Sequence, residues 1–206
     1  MCTAVGLIEG DDVTYGTLRC EQDFFKTGLY VGEMAGAVPH GGGTMAWENG
    51  WTYTGDWRSG SRHGRGELIG GLSIYRGDFA DDRFNGQGTE ITTDGQTYTG
   101  TFVDGSRSGP GVLTWAVGSS SQEPLTGAVR LEGEFSMQGA TRGVLTWADG
   151  RTFEGTFEGL SPMPVQGTLT DAEGARYVEF DRDRWEFVEV APPPPPAPTP
   201  PPPCGG

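Results

Sequence analysis

The stretch YTGDWRSGSRHGRGEL, Tyr53 to Leu68, decides the fold because the chain writes it again. YRGDFADDRFNGQGTE follows from Tyr75 and YTGTFVDGSRSGPGVL from Tyr98, and a looser copy, YVGEMAGAVPHGGGTM, precedes them from Tyr30. LEGEFS at Leu131 and FEGTFE at Phe153 open two further copies, and Tyr177 opens a degenerate one. Successive starts lie 23, 22, 23, 33, 22 and 24 residues apart. A period in that range denotes an array of small supersecondary units, none of which buries its apolar face alone; neighbours do it for one another.

Within the Tyr53 copy, Tyr53, Gly55 and Trp57 share parity, so in an extended strand they point to one face. Gly60 and its polar neighbours predict a turn, and a second strand is expected from Gly64-Arg65-Gly66 to Leu68. Other copies show the second strand more plainly: Gly111, Leu113 and Trp115 alternate, as do Gly143, Leu145 and Trp147, and Gly43, Met45 and Trp47. Each repeat therefore reads as a β-hairpin with a glycine-bearing turn.

Glycine inside a strand is costly, and its repeated use predicts something large lying against bare backbone. The positions are Gly32, Gly55, Gly77, Gly100, Gly133 and Gly155 in first strands, and Gly64, Gly66, Gly86, Gly88, Gly109 and Gly111 in second strands. The expected occupants are the rings of Tyr30, Tyr53, Trp57, Tyr75, Phe79, Tyr98, Phe102, Trp115, Phe135, Trp147, Phe153 and Phe157, with Met34 standing where the first copy lacks a ring. Each ring buries ~150–250 Å², enough to hold a sheet without a second layer. The expected fold is all-β, an elongated single-sheet β-meander of stacked hairpins forming an open, solenoid-like array.

These positions resemble the MORN (membrane occupation and recognition nexus) repeat, with its Tyr-x-Gly-x-Trp/Phe start followed by Gly-x-Gly. The opening aromatic stands 11 residues before the first glycine of that pair in the four leading copies, at Gly41, Gly64, Gly86 and Gly109. The resemblance covers roughly residues 30–174 and implies a twisted meander of stacked hairpins. The fifth copy departs from it, with Leu131 for the opening aromatic and only Gly143 of the glycine pair. The sixth keeps only Gly167 and carries Pro162 and Pro164 in its turn. The expected organisation is an N-terminal capping segment over 1–28, about six repeats over 29–174, capping strands over 175–190 and a proline-rich, disordered tail over 191–206. The excess between Tyr98 and Leu131 falls in GSSSQEPLTG, Gly118 to Gly127, and is predicted to be a loop.

Composition narrows the function. Only 34% of residues are hydrophobic and 36 are glycine, which speaks against a thick aliphatic core. The net charge of −14 leaves no basic stripe for a nucleic-acid backbone, and the one lysine is Lys26. Anionic lipid attracts basic clusters by about 1 kcal/mol per residue. The nearest cluster is Arg58, Arg62 and Arg65, the expected contacts if phospholipid headgroups are bound. Cys2, Cys20 and Cys204 have unrelated spacings and no Cys-x-x-Cys pair, so free thiols in a reducing compartment are expected. The N-terminal MCTAVGLIEGDD lacks the basic start of a signal peptide. No stretch approaches the ~20 apolar residues that span a bilayer. A cytoplasmic protein, at most peripheral to membrane or cytoskeleton, is the expectation.

No residue is expected to be catalytic, to hold a cofactor or to ligate a metal. His40 and His63 precede the Gly-x-Gly of their own repeats and so stand in a row, whereas a triad or metal site needs converging groups. Gly64-Arg65-Gly66 lacks the helix and lysine of a phosphate loop. Asp56, Asp78 and Glu134 fall on the face opposite the rings, where solvated acids belong and where a basic partner would meet them. The tail APPPPPAPTPPPPCGG favours the polyproline II helix. Pro192, Pro193, Pro194, Pro195 and Pro196 would be its contacts with a polyproline-binding module such as profilin, a WW or a Src-homology 3 domain.

The resemblance implies interaction work, since the family includes junctional proteins linking membranes, ciliary and cytoskeletal assembly factors, and modules attached to lipid kinases or a methyltransferase. Repeats and caps use nearly the whole chain, so the expected function is a non-enzymatic scaffold or adaptor that meets protein partners through the array surface. The alternatives are a membrane-associated module binding phospholipid headgroups and a regulatory subunit of an enzyme. Open edges of such a sheet also offer a route to a homodimer.

Overall fold

Three tight turns set the hairpins. Ser59-Gly60, Asp81-Asp82 and Asp104-Gly105 each place two successive residues at positive φ, at 51° and 86°, 47° and 68°, and 50° and 86°. Turns of that hand match the twist of the strands they join, and glycine and aspartate tolerate the conformation better than most residues. The computed structural model describes residues 2–9, 14–22, 26–116 and 125–193, with side chains over 28–116 and 125–193.

Among the described residues the strands are β1 (Cys2–Glu9), β2 (Thr14–Gln22), β3 (Lys26–Ala35), β4 (Val38–Trp47), β5 (Thr52–Arg58), β6 (Ser61–Gly70), β7 (Ser73–Ala80) and β8 (Arg83–Thr92). They continue as β9 (Thr97–Val103), β10 (Ser106–Thr114), β11 (Ala128–Ser136), β12 (Gly139–Trp147), β13 (Thr152–Glu158), β14 (Met163–Asp171), β15 (Gly174–Asp181) and β16 (Glu186–Glu189). All lie in one open antiparallel sheet in chain order, the all-β meander expected from the repeats.

The second strand of the Tyr53 hairpin starts at Ser61, three residues before the expected Gly64. Gly55 faces Gly66 while Trp57 faces Arg62, so residues 63–65 bulge opposite Asp56 alone. This separates the two glycines of Gly-x-Gly. The first takes the bulge, with φ of 66° at Gly41, 56° at Gly64, 107° at Gly86 and 65° at Gly109. Across from it, Asp56 Oδ2 accepts the Arg65 amide at 2.9 Å, and Asp78 Oδ2 accepts the Gln87 amide at 2.9 Å. Asp56 and Asp78 are therefore caps that hold bulges, not merely solvated acids.

The second glycine makes room for a ring. A Cβ on Gly66 would fall 2.5 Å from the Tyr53 hydroxyl, and one on Gly111 would fall 2.5 Å from that of Tyr98. In β-pairing these glycines oppose one another within and between hairpins. An unbroken row, one glycine per strand, runs from Gly16 in β2 to Gly167 in β14. The row thus begins before residue 29, where the array was expected to start.

Over that row lie the tyrosines of the four leading copies, at most 1% exposed. Burial would strand their hydroxyls, and each is satisfied locally: Tyr30 donates to Glu33 O at 2.7 Å, Tyr53 to Asp56 O at 2.9 Å, Tyr75 to Asp78 O at 2.9 Å and Tyr98 to Thr101 O at 3.2 Å. The second ring of each hairpin bridges two tyrosines edge to face. Trp57 meets Tyr30 and Tyr53 at 5.3 and 5.1 Å, Phe79 meets Tyr53 and Tyr75 at 5.0 and 5.1 Å, and Phe102 meets Tyr75 and Tyr98 at 5.1 and 5.2 Å. Phe135 closes the series on Tyr98 at 4.9 Å. Beyond it Leu131 replaces the next tyrosine, and Trp115, Trp147, Phe153 and Phe157 stay buried in the same cluster. At the far end Phe187 of β16 rests 5.3 Å from Phe153 and 5.4 Å from Phe180.

Hairpins are also tied at their tips. The Gly60 amide donates to Pro39 O, Asp82 to Arg62 O and Gly105 to Phe84 O, at 3.0, 3.1 and 2.9 Å. The same contact internalises Arg62, which is 8% exposed. Its guanidinium bonds Asp82 Oδ1 at 3.0 Å and the Asp82 carbonyl at 2.7 Å, and lies 5.9 Å from the Tyr53 ring and 5.6 Å from that of Phe79. Arg62 is therefore not a surface cation, and the three-arginine cluster does not exist as one. Arg58 and Arg65 occupy the other face, paired with Asp81 at 3.4 Å and Asp78 at 3.7 Å. The segment expected to be loop, Gly118–Gly127, lies outside the described residues up to 124, but Leu125 is 4% exposed and belongs to the core.

Three outcomes follow from this packing. Gly66→Ala forces the Tyr53 ring off its seat and lowers unfolding free energy by about 1–3 kcal/mol, whereas Gly42→Ala, whose nearest neighbour would be 3.5 Å away, stays within about 0.5 kcal/mol; urea unfolding of both reads the difference. In the same assay Arg62→Ala costs about 1–3 kcal/mol through its lost hydrogen bonds and ring contacts, and Arg65→Ala costs at most about 0.5 kcal/mol. Burial, followed by the neighbouring Glu33, pushes the Tyr30 hydroxyl up from 10.0 to about 12, and burial likewise raises those of Tyr53, Tyr75 and Tyr98. The folded state then holds protons that the unfolded chain releases above pH ~10, so stability is level below that pH and falls as pH rises toward 12. Each coupled tyrosine adds a slope of up to about 1.4 kcal/mol per pH unit. Tyrosinate absorbance should appear together with loss of the β signal in circular dichroism; a separate ionisation of all tyrosines near pH 10 would contradict the packing.

Candidate functional site

In each hairpin the residue opposite the second ring forms a lid over the tyrosine row. The lids are Pro39 across from Met34, Arg62 from Trp57, Phe84 from Phe79, Arg107 from Phe102, Ala140 from Phe135 and Pro164 from Phe157. Phe84 stacks flat on Tyr75, with centroids 3.7 Å apart, and the Arg107 guanidinium covers Tyr98 at 4.7 Å. At the fifth hairpin both covering groups shrink together, because Leu131 replaces the tyrosine and Ala140 supplies a methyl group for a lid.

The result is a hollow of about 290 Å³ between the tips of the fourth, fifth and sixth hairpins. Phe102, Leu113, Phe135 and Ala140 form its apolar floor, and Met137, Leu160 and Pro162 its lip. Met137 and Leu160 lie in adjacent turns and are 78% and 81% exposed. Binding pockets for small organic ligands start at about 300 Å³ and enclose most of the ligand; this open hollow has room for one or two side chains.

Its polar wall comes from Glu90, which stands on the inner face between Tyr75 and Tyr98. Met45, Leu68, Leu113, Leu145 and Leu169 fill the equivalent positions beside the other opening residues. The Arg107 guanidinium bonds Glu90 Oε2 at 2.9 Å, with side-chain exposures of 26% and 21%. Periodicity was blind to this pair, although a carboxylate at a leucine position of a repeat was a visible signal. A broader depression on the opposite edge, around Asp149, Arg151, Asp171 and Arg176, has its charges paired internally.

The other sequence candidates do not gather into a site. His40 is exposed, and His63 is partly buried at the bulge, where its carbonyl accepts a 3.4 Å bond from the Tyr53 hydroxyl. Among the described residues no three His, Cys, Asp or Glu groups converge as a metal ion would require. Pro192 and Pro193 are exposed beyond β16, while Pro194, Pro195 and Pro196 lie outside the described residues with the rest of the tail.

Five segments of the chain, 30–52, 53–71, 75–97, 98–120 and 142–150, match the MORN repeat. No curated protein matches the chain. The fifth match begins inside β12 and omits Leu131, where the ring series also stops. The glycine row continues past the last match to Gly167, so the lattice outlasts its sequence signature. With the repeat matched in five places and its hairpins joined in one sheet, the chain is a MORN-repeat protein.

Proposed function

We propose that this protein is a non-enzymatic scaffold, and that a protein partner docks on the hairpin-tip edge at the hollow beside Arg107 and Glu90. The observation that carries the reading is Met137 and Leu160, large apolar side chains exposed in neighbouring turns above an apolar floor. The tips of the second, third and fourth hairpins are instead Ser59-Gly60, Asp81-Asp82 and Asp104-Gly105. Exposed apolar side chains beside a recess are typical of interaction surfaces, and buried anchors in such recesses dominate binding energy. Catalysis requires converging acid, base or nucleophilic groups, and the Arg107–Glu90 pair is already satisfied within itself. Phospholipid headgroups find less here than the sequence promised, since Arg62 is internal and Arg58 and Arg65 face carboxylates.

Affinity capture from a native lysate, compared between wild type, the Met137→Ser/Leu160→Ser double variant and Ala140→Phe, tests the assignment. Emptying the lip or filling the hollow is expected to weaken retained partners at least about tenfold, the loss of one or two anchors, with thermal melting unchanged for the double variant. An unaltered partner set would sink the docking site. Flotation with phosphoinositide vesicles, expected to leave the protein in the dense fraction, would favour the lipid reading if it carried the protein upward.

A further inference from the structure

The geometry points to a redox site at the open edge of the sheet: we infer that Cys2 and Cys20 form a cross-strand disulfide that clamps the mouth of the β1–β2 hairpin. The two residues are direct partners in that pairing. Opposed residues of an antiparallel pair lie about 4.5 or 5.5 Å apart at Cα, within the roughly 4.4–6.8 Å that a disulfide bridges. Sequence spacing hides the match. Counting back from Glu9 opposite Thr14, an unbroken ladder sets Cys2 against Glu21. The register shift between Ala4 and Gly6 takes up one residue and sets Cys2 against Cys20 instead. The expectation of free, unrelated thiols followed from spacing alone.

Location gives the link its effect. Within the described sheet β1 is bonded on one side only, to β2. Cys2–Cys20 is the last pair of the ladder, at the end away from Glu9–Thr14, where an edge strand frays first. Two thiols join as a disulfide with loss of two protons and two electrons. A low-molecular-weight disulfide such as oxidised glutathione accepts them through a mixed disulfide and leaves as two thiols. The linked edge stays paired, while the reduced edge opens and closes. The opposite edge is protected by other means: β16 has only 4 residues, carries Glu186 and Glu189, and is followed by Pro192.

The test uses the full chain, exposed to oxidised glutathione, alkylated, digested without reduction and mapped by mass spectrometry. The Cys2–Cys20 link should exceed the links of either cysteine to Cys204 at least about tenfold, as preset geometry favours one intramolecular partner. Backbone amides of residues 3–8 should exchange at least about tenfold more slowly in the linked chain than in the reduced one, and Cys20→Ser should abolish the difference. Circular dichroism shows whether each variant is folded, and Cys204→Ser isolates the pair. Equal abundance of the three links, oxidation no faster than in guanidinium, or separate glutathione adducts on Cys2 and Cys20 would overturn the pairing. Unchanged exchange in a linked chain would overturn the clamp.

Discussion

The sheet stands because tyrosine rings lie on backbone that has no side chains. A single layer exposes both faces to water, and apolar burial ordinarily needs a second layer. Here the rings of Tyr30, Tyr53, Tyr75 and Tyr98 press on opposed glycines, and rings from the following hairpin roof them edge to face. Glycine's entropic cost is offset by a close approach that any Cβ would prevent. Each tyrosine hydroxyl then returns to the chain three residues on, so the polar end of the ring is buried with a partner. Burial, hydrogen bonding and register thus converge on one side-chain position.

Much of this was legible in the residues. Period, parity and the fixed interval to Gly-x-Gly were enough for hairpins, a single sheet and the ring-on-glycine contact, because each depends on local spacing. What the sequence hid depends on register. Gly64 and Gly66 look alike in a string, but a bulge puts one at positive φ and the other beneath a ring. Asp56 reads as a solvated acid until the same bulge turns the Arg65 amide toward it. Arg58, Arg62 and Arg65 read as one basic patch, and three intervening residues at the bulge send Arg62 inward. The hollow was equally hidden, since it needs Glu90, Arg107, Leu131 and Ala140 considered from four different strands.

The proposed docking surface lies where the array is least regular. Where copies agree, lids and rings close the inner face and the tips are tight polar turns. Where the fifth copy weakens, the face opens and the turns carry Met137 and Leu160. A repeat protein tolerates such a defect because each hairpin leans chiefly on its neighbours. The regular copies on one side and the Phe187 closure on the other keep the irregular hairpin in place.

The tip bonds, from Gly60 to Pro39 O, Asp82 to Arg62 O and Gly105 to Phe84 O, reach one hairpin back. Such linkage makes the molecule countable. Adding or deleting one whole unit of two strands keeps the same glycine-on-glycine pairing at the joints between hairpins and moves the two ends by about 10 Å, twice the spacing between strands. The span of the sheet is thereby set in discrete notches by duplication of a unit, without redesign of a core.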